Sequence, residues 1–244
     1  RVRHFMFMVN QHYYTDHTVP WHILCDFDGT ISLKDTTDSL LETYAKAGWE
    51  EIEEEWEQGK IGSKVCMQKQ IELLDVSIDE LQQCLDQIEI DLGFIELVKI
   101  TAQYKIPLTI VSDGLDFVIR HILKKYNLEH LPVIANHLVQ TGERSWRLEF
   151  PNQEASCISQ SGTCKCKIAN QKPQNQIILI GDGRSDYCLA GNADYVFAKK
   201  SLIDHCRENH IFHTKFENFV EIYQPLAKLL SSDFGIDTPV TVIT

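Results

Sequence analysis

The chain has no apolar run approaching the ~20 residues that a membrane-spanning helix requires. Its "FMFMV" at residues 5–9 is too short for the apolar stretch of a secretion signal, and polar "NQHYYTDH" follows it. Basic residues are scarce: 23 Lys and Arg face 35 Asp and Glu, for a net charge of −12. That balance argues against a polyanion-binding surface, which leans on clustered Lys and Arg. Internal repeats and low-complexity tracts are also missing. The eight cysteines come without a secretion signal, so free thiols in a reducing compartment are expected. What these absences leave is an expected soluble, cytoplasmic protein, monomer or homodimer, with no nucleic-acid and no membrane partner.

What is present is a chain of 244 residues, 43% hydrophobic, long enough for one sizeable core or a core with a smaller domain. Strand-like runs recur at "WHILC" (21–25), "IPLTIVS" (106–112), "QIILIG" (176–181) and "DYVFA" (194–198). Helical patterns separate most of them, which predicts an α/β fold with a parallel sheet flanked by helices. Three of these runs end in "DFDG", "VSDG" and "GDG". Ligands of open α/β sheets bind outside the carboxyl ends of the strands, so three segments point polar groups at one crevice.

Between the first two runs lies a long insertion with helical spacing. Trp49, Ile52 and Trp56 step by three and four, as do Met67, Ile71 and Leu74, with Val65 fitting less cleanly, and Ile78, Leu81, Leu85 and Ile88. Ser77 with Glu80 is a capping-box signature. The expected division is a catalytic core at 19–32 and 95–230, a helical cap at 33–94, an N-terminal extension at 1–18 and a tail at 231–244. The acidic run "EEIEEEWE" (50–57) reads as a solvated helix face. Trp49 and Trp56 read as helix packing rather than substrate contacts. Residues 134–150 read as a β-hairpin with Thr141-Gly142 near its turn and no chemistry of its own.

In "HILCDFDGTIS" (22–32) the first apolar run ends in two carboxylates, Asp26 and Asp28. Desolvating them is costly unless they are paired or hold a metal. Alone, the pair reads as a polar turn with Asp26 capping a helix. Followed in order by "VSDG", a lysine and "GDGRSD", it resembles the haloacid dehalogenase superfamily. That resemblance implies a Rossmann-like core with a helical cap and Mg²⁺-dependent hydrolysis of a small phosphorylated metabolite. Asp26 would be the nucleophile and Asp28 the acid and base. Asp26, the Asp28 carbonyl and Asp182 would hold Mg²⁺, with Asp186 binding through water or orienting them. Ser112 and the backbone N–H groups of Asp113 and Gly114 would hold phosphate. Lys165 would balance its charge, with Lys167 as the alternative lysine.

The insertion directly after the first motif resembles the phosphoserine-phosphatase-like branch. From Ile23 to about Val220 the chain resembles more closely the phosphatases of 2-hydroxy-3-keto-5-methylthiopentenyl-1-phosphate in methionine salvage. The shared features are "CDFDGTIS", the acid at Asp35, "GTCK" and "VFAKKSLIDHCRENHI" (196–211). Phosphoserine phosphatases carry Glu where this chain has Asp35, which puts phosphoserine in doubt; Asp35 reads equally as a substrate contact or a helix cap. A phosphoryl transferase and a non-catalytic metabolite sensor are the other readings of the same motifs. Cys157, Cys164 and Cys166 lack paired zinc-site spacing and show no fourth ligand in the sequence, so they read as reduced, partly buried thiols, with a structural zinc site as the alternative.

Overall fold

The computed structural model of the chain describes residues 20–234. The expected extension at 1–18, and the expected tail from 235 onward, lie outside the described residues. The chain runs β1 (Trp21–Cys25), α1 (Thr36–Tyr44), α2 (Trp49–Glu57), α3 (Ser63–Ile71), α4 (Ile78–Asp86), α5 (Gly93–Gln103), β2 (Leu108–Leu115), α6 (Asp116–Lys125), β3 (Val133–Gln140) and β4 (Trp146–Glu149). It continues through α7 (Lys165–Asn170), β5 (Gln176–Gly181), α8 (Tyr187–Ala190), β6 (Tyr195–Ala198), α9 (Ser201–Glu208), β7 (Thr214–Lys215) and α10 (Val220–Phe234). The last helix therefore passes the expected core boundary at 230.

The strands form one sheet in the order β4-β3-β2-β1-β5-β6-β7. All neighbours are parallel except the β3–β4 hairpin. Parallel strands covered on both faces must be apolar on both faces. Alternation does this in β1: Ile23 and Cys25 join the larger core cluster, while Leu24 joins the cluster on the other face. β5 repeats the pattern, with Ile178 and Ile180 on one side and Ile177 and Leu179 on the other.

The inserted helices α1–α4 are not a loose appendage. Leu40, Leu41, Ile71, Leu74, Leu81 and Leu85 belong to the same buried cluster as Ile23 and Phe27. The two chain passages between insertion and sheet are tied to each other: the Leu33 N–H donates to the Glu89 carbonyl at 3.0 Å and the Asp91 N–H to the Ile31 carbonyl at 2.8 Å. The Ser77 capping box forms as its spacing predicted. The β3–β4 hairpin, which shows no chemistry of its own, braces the insertion. Arg144 pairs with Asp75 at 2.6 Å and Glu80 at 2.9 Å, and the Trp146 indole N–H donates to the Val76 carbonyl at 2.8 Å. No helix among the described residues is long and apolar enough to cross a membrane.

Candidate active site

Asp26 follows the last residue of β1 at the centre of the sheet and is 5% exposed. Its Oδ1 lies 3.0 Å from the Lys165 ammonium, which is itself 1% exposed and lies 2.5 Å from Asp186 Oδ1. Lys165 begins α7, which delivers it beneath the strand ends. Desolvation works against its charge, but Asp186 and Asp26 outweigh that and hold the ammonium well above the ordinary lysine range. Burial pushes the Asp26 carboxyl well up, against the pull of Lys165. Lys167 points elsewhere, donating to the Gln153 carbonyl at 3.0 Å.

Asp186 is fully buried and spends its second oxygen on the backbone N–H groups of Asp182 (3.0 Å) and Gly183 (3.1 Å). It thus fixes the loop after β5. The approach requires Gly181, since a Cβ there would collide with the Asp186 carboxylate. Asp182 accepts from the Thr30 hydroxyl at 3.1 Å and pairs with Lys200 at 3.2 Å.

Asp28 does not reach its place by continuing the strand. The chain turns instead: the Thr30, Ile31 and Ser32 N–H groups all donate to the Phe27 carbonyl. Gly29 takes φ +72°, and a Cβ there would press on Asp182 and Lys200. The turn swings the Asp28 carboxylate away from Asp26 onto the N-terminus of α1, where the Thr36 N–H (2.8 Å) and hydroxyl (2.5 Å) donate to it. Burial, with the Asp35 charge adding to it, pushes the Asp28 carboxyl up to about 7.

At the end of β2, the Ser112 hydroxyl accepts from the Gly114 N–H at 2.9 Å. The Asp113 carboxylate turns away, accepting from Asn136 (3.0 Å) and the Thr163 N–H (2.9 Å), so it ties down the loop before Lys165. Asp35 caps α1 by accepting from the Asp38 N–H at 2.9 Å, and it also faces the cleft.

Asp26, Asp182 and Asp186 each bring a carboxylate oxygen within 4.8 Å of the other two. Two ammonium groups, the buried Lys165 and the more exposed Lys200, face three carboxylates, so one negative charge is left over. An oxygen-only set with surplus charge, at strand ends, has the donor chemistry that Mg²⁺ takes. The residues present therefore fit that ion.

The cleft above these groups holds about 520 Å³, and its far wall comes from α1–α3. Here the reading of the tryptophans needs correcting. α2 has no buried residue. Trp56 lines the cleft, donates its indole N–H to Ser63 at 2.9 Å and carries the Arg184 guanidinium 4.1 Å from its ring centre. Trp49, by contrast, packs on the core. Glu53 lies within the acidic run, yet it turns into the cleft, where Gln70 donates to it at 2.7 Å. Its neighbours Glu50, Glu51, Glu54 and Glu57 are solvated as expected.

Sequence reasoning missed Glu53, Trp56, Arg184 and Lys200 as cleft residues. Lys200 had a usable signal, since it follows β6 at the carboxyl end of the sheet. Its backbone holds φ 49°, uncommon for a side chain with Cβ. Glu53 and Trp56 had none, because period alone does not say which helix face meets the cleft.

Known proteins resemble this arrangement. Residues 22–217 match the family described as Putative Phosphatase. A relative from Exiguobacterium sp. is 31% identical over 82% of this chain and 94% of its own length. One from Brevibacillus brevis is 31% identical over 85% and 95%. Both are named 2-hydroxy-3-keto-5-methylthiopentenyl-1-phosphate phosphatase. A solved substrate-bound phosphoserine phosphatase superposes with TM-score 0.64 at 21% identity, over 84% of this chain and 98% of that one. A phospho-aspartyl intermediate analogue of phosphoserine phosphatase gives 0.63 at 21%, over 85% and 99%. The fold is thus that of these phosphoserine phosphatases, and the chain belongs to the Putative Phosphatase family.

Proposed function

We propose that the chain hydrolyses the phosphate monoester of a small metabolite, 2-hydroxy-3-keto-5-methylthiopentenyl-1-phosphate, through an aspartyl-phosphate on Asp26. The observation that carries this reading is the separation of Asp26 and Asp28 into two environments. Asp26 is buried against Lys165, while Asp28 is held by Thr36 with its carboxyl raised to about 7. The two carboxylates sit in different surroundings, one on a buried ammonium and the other on a helix N-terminus, which suits a nucleophile beside a separate acid–base residue.

In this reading an Asp26 oxygen attacks phosphorus in line, and Asp28 gives its proton to the departing oxygen. Asp28 then takes a proton from the water that cleaves the aspartyl-phosphate. Ser112, the Asp113 and Gly114 N–H groups and Lys165 hold phosphate oxygens. Bound Mg²⁺, held by Asp26, Asp182 and the Asp28 carbonyl, would neutralise charge between carboxylate and phosphate. Asp186 orients Lys165 and the Asp182 loop. Helices α1–α4 act as the cap, with Trp56, Met67 and Cys66 offering apolar surface to a methylthio end.

Asp35, Asp38 and Glu53 on the same wall favour a second reading, a substrate with an ammonium group such as phosphoserine. Phosphate release from the two substrates, with and without Mg²⁺, separates them. The expected result is Mg²⁺-dependent turnover of the methylthio substrate, reduced at least ~10³-fold by Asp26→Asn. Preference for phosphoserine would install the second reading. Full turnover by Asp26→Asn would remove the nucleophile.

A further inference from the structure

Four cysteines meet behind the catalytic lysine. Cys157, Cys164 and Cys188 place their sulfurs within 4.8 Å of one another, and each is no more than 7% exposed. Cys166 packs against the group and is hydrogen-bonded to Cys188. Cys188, on α8, is a fourth thiol that the spacing of the other three did not reveal. It comes from a segment brought alongside α7 only by the fold.

We propose that Cys157, Cys164, Cys166 and Cys188 form a structural zinc site, a closed set of four thiolates that fixes α7 against α8. Tetrahedral Zn–S bonds of about 2.3 Å put sulfurs roughly 3.8 Å apart, within the 4.8 Å that Cys157, Cys164 and Cys188 already meet, so the Cys166 sulfur would close on these three. Soft thiolates in a four-sulfur set select zinc over the hard cations of the carboxylate site. Backbone N–H groups already face the sulfurs: that of Lys167 donates to Cys164 and that of Cys166 to Cys188. The Asn192 amide reaches Cys166 at 3.9 Å. Such donors compensate the negative charge of coordinated thiolates.

A second observation points the same way. Between Pro151 and Gln160 the chain has no helix or strand, and Cys157 is its only buried residue. Ile158 beside it is 87% exposed. A loop with one buried side chain has no hydrophobic anchor, and a metal bond through Cys157 supplies one. Binding would release up to four thiol protons to solvent.

The site has a consequence for the chemistry, which rests on the proposed role of Lys165. Cys164 and Cys166 flank Lys165, and Cys188 follows Asp186 by two residues. The zinc would brace both ends of the Lys165–Asp186 ion pair.

The test is metal analysis of the full chain, purified without chelator in Mg²⁺ buffer. One zinc per chain should be retained. Cys188→Ser should lose it, while Cys84→Ser and Asp182→Asn keep it. Cobalt substitution of the unmodified chain should give thiolate-to-metal charge-transfer bands, which decides the matter even where Cys188→Ser fails to fold. Absence of zinc and of those bands, a disulfide among the four cysteines in native protein, or zinc lost from Asp182→Asn but kept by Cys188→Ser would overturn the site. None of these outcomes depends on phosphatase activity.

Discussion

On the strand-end wall of the cleft, Asp26, Ser112 and Lys165 are at least 95% buried, and each is held by short polar contacts. On the helical wall opposite, α2 buries nothing, and Glu53 and Trp56 are half-exposed. The first wall is stiff because its charges cannot move without leaving a buried partner unpaired. On the second, α2 can exchange side chains at little cost to the fold. In the proposed reaction, this difference would give bond-breaking to the strand ends and substrate choice to the helices.

The largest effect should come from Lys165→Met. It leaves Asp26 and Asp186 facing each other without their shared cation, which costs about 3–5 kcal/mol when one partner of a buried pair is removed. Urea unfolding in chelator should show that loss, and added Mg²⁺ should recover part of it. Turnover should fall about 10²–10³-fold, as when one preorganised donor to a transition state is deleted. Unchanged stability in chelator would erase the contrast between the walls.

Acid should also strike the sheet. His22 lies on β1, buried, with its Nε2 2.8 Å from the Thr109 hydroxyl. Burial, with Lys172 adding to it, lowers its pKa to about 4. A histidine whose folded pKa is depressed leaves stability intact above its unfolded value near 6.5 and lost as pH falls toward 4. Between pH 7 and 5 the loss should be about 2 kcal/mol, and His22→Asn should remove that pH dependence. Equal acid sensitivity in the variant would assign the loss to other groups.

The smallest effect should be that of Glu53→Ala on the helical wall. KM should change several-fold, with kcat held within about twofold, since uniform binding is what such a contact supplies. Steady-state kinetics on the methylthio substrate and on phosphoserine read this directly. A fall in kcat matching that of Lys165→Met would break the division of labour.

The four apolar runs became β1, β2, β5 and β6, because continuous apolar segments ending in turns leave little choice in a sheet covered on both faces. β1 and β5 fall on their expected residues, while β2 extends past its run to Leu115. The acidic and glycine residues at the strand ends were legible for the same reason. Trp56 and Glu53 were misread because amphipathic period gives a face but not its neighbour. Cys188 was overlooked because it stands far in sequence from Cys157, Cys164 and Cys166.

The sequence by itself determined the α/β class, the carboxyl-end crevice and the strand-end residues Asp26, Asp28, Ser112 and Asp182 that line it. Local chemistry suffices there: apolar strands must be buried, and the polar residues that end them must emerge at one edge. Tertiary structure alone decided that Asp28 turns onto Thr36, that Asp186 serves Lys165 and that Cys188 joins three distant thiols. Each is a contact between segments whose meeting is set by sheet order and crossover packing, which no single stretch of the chain encodes.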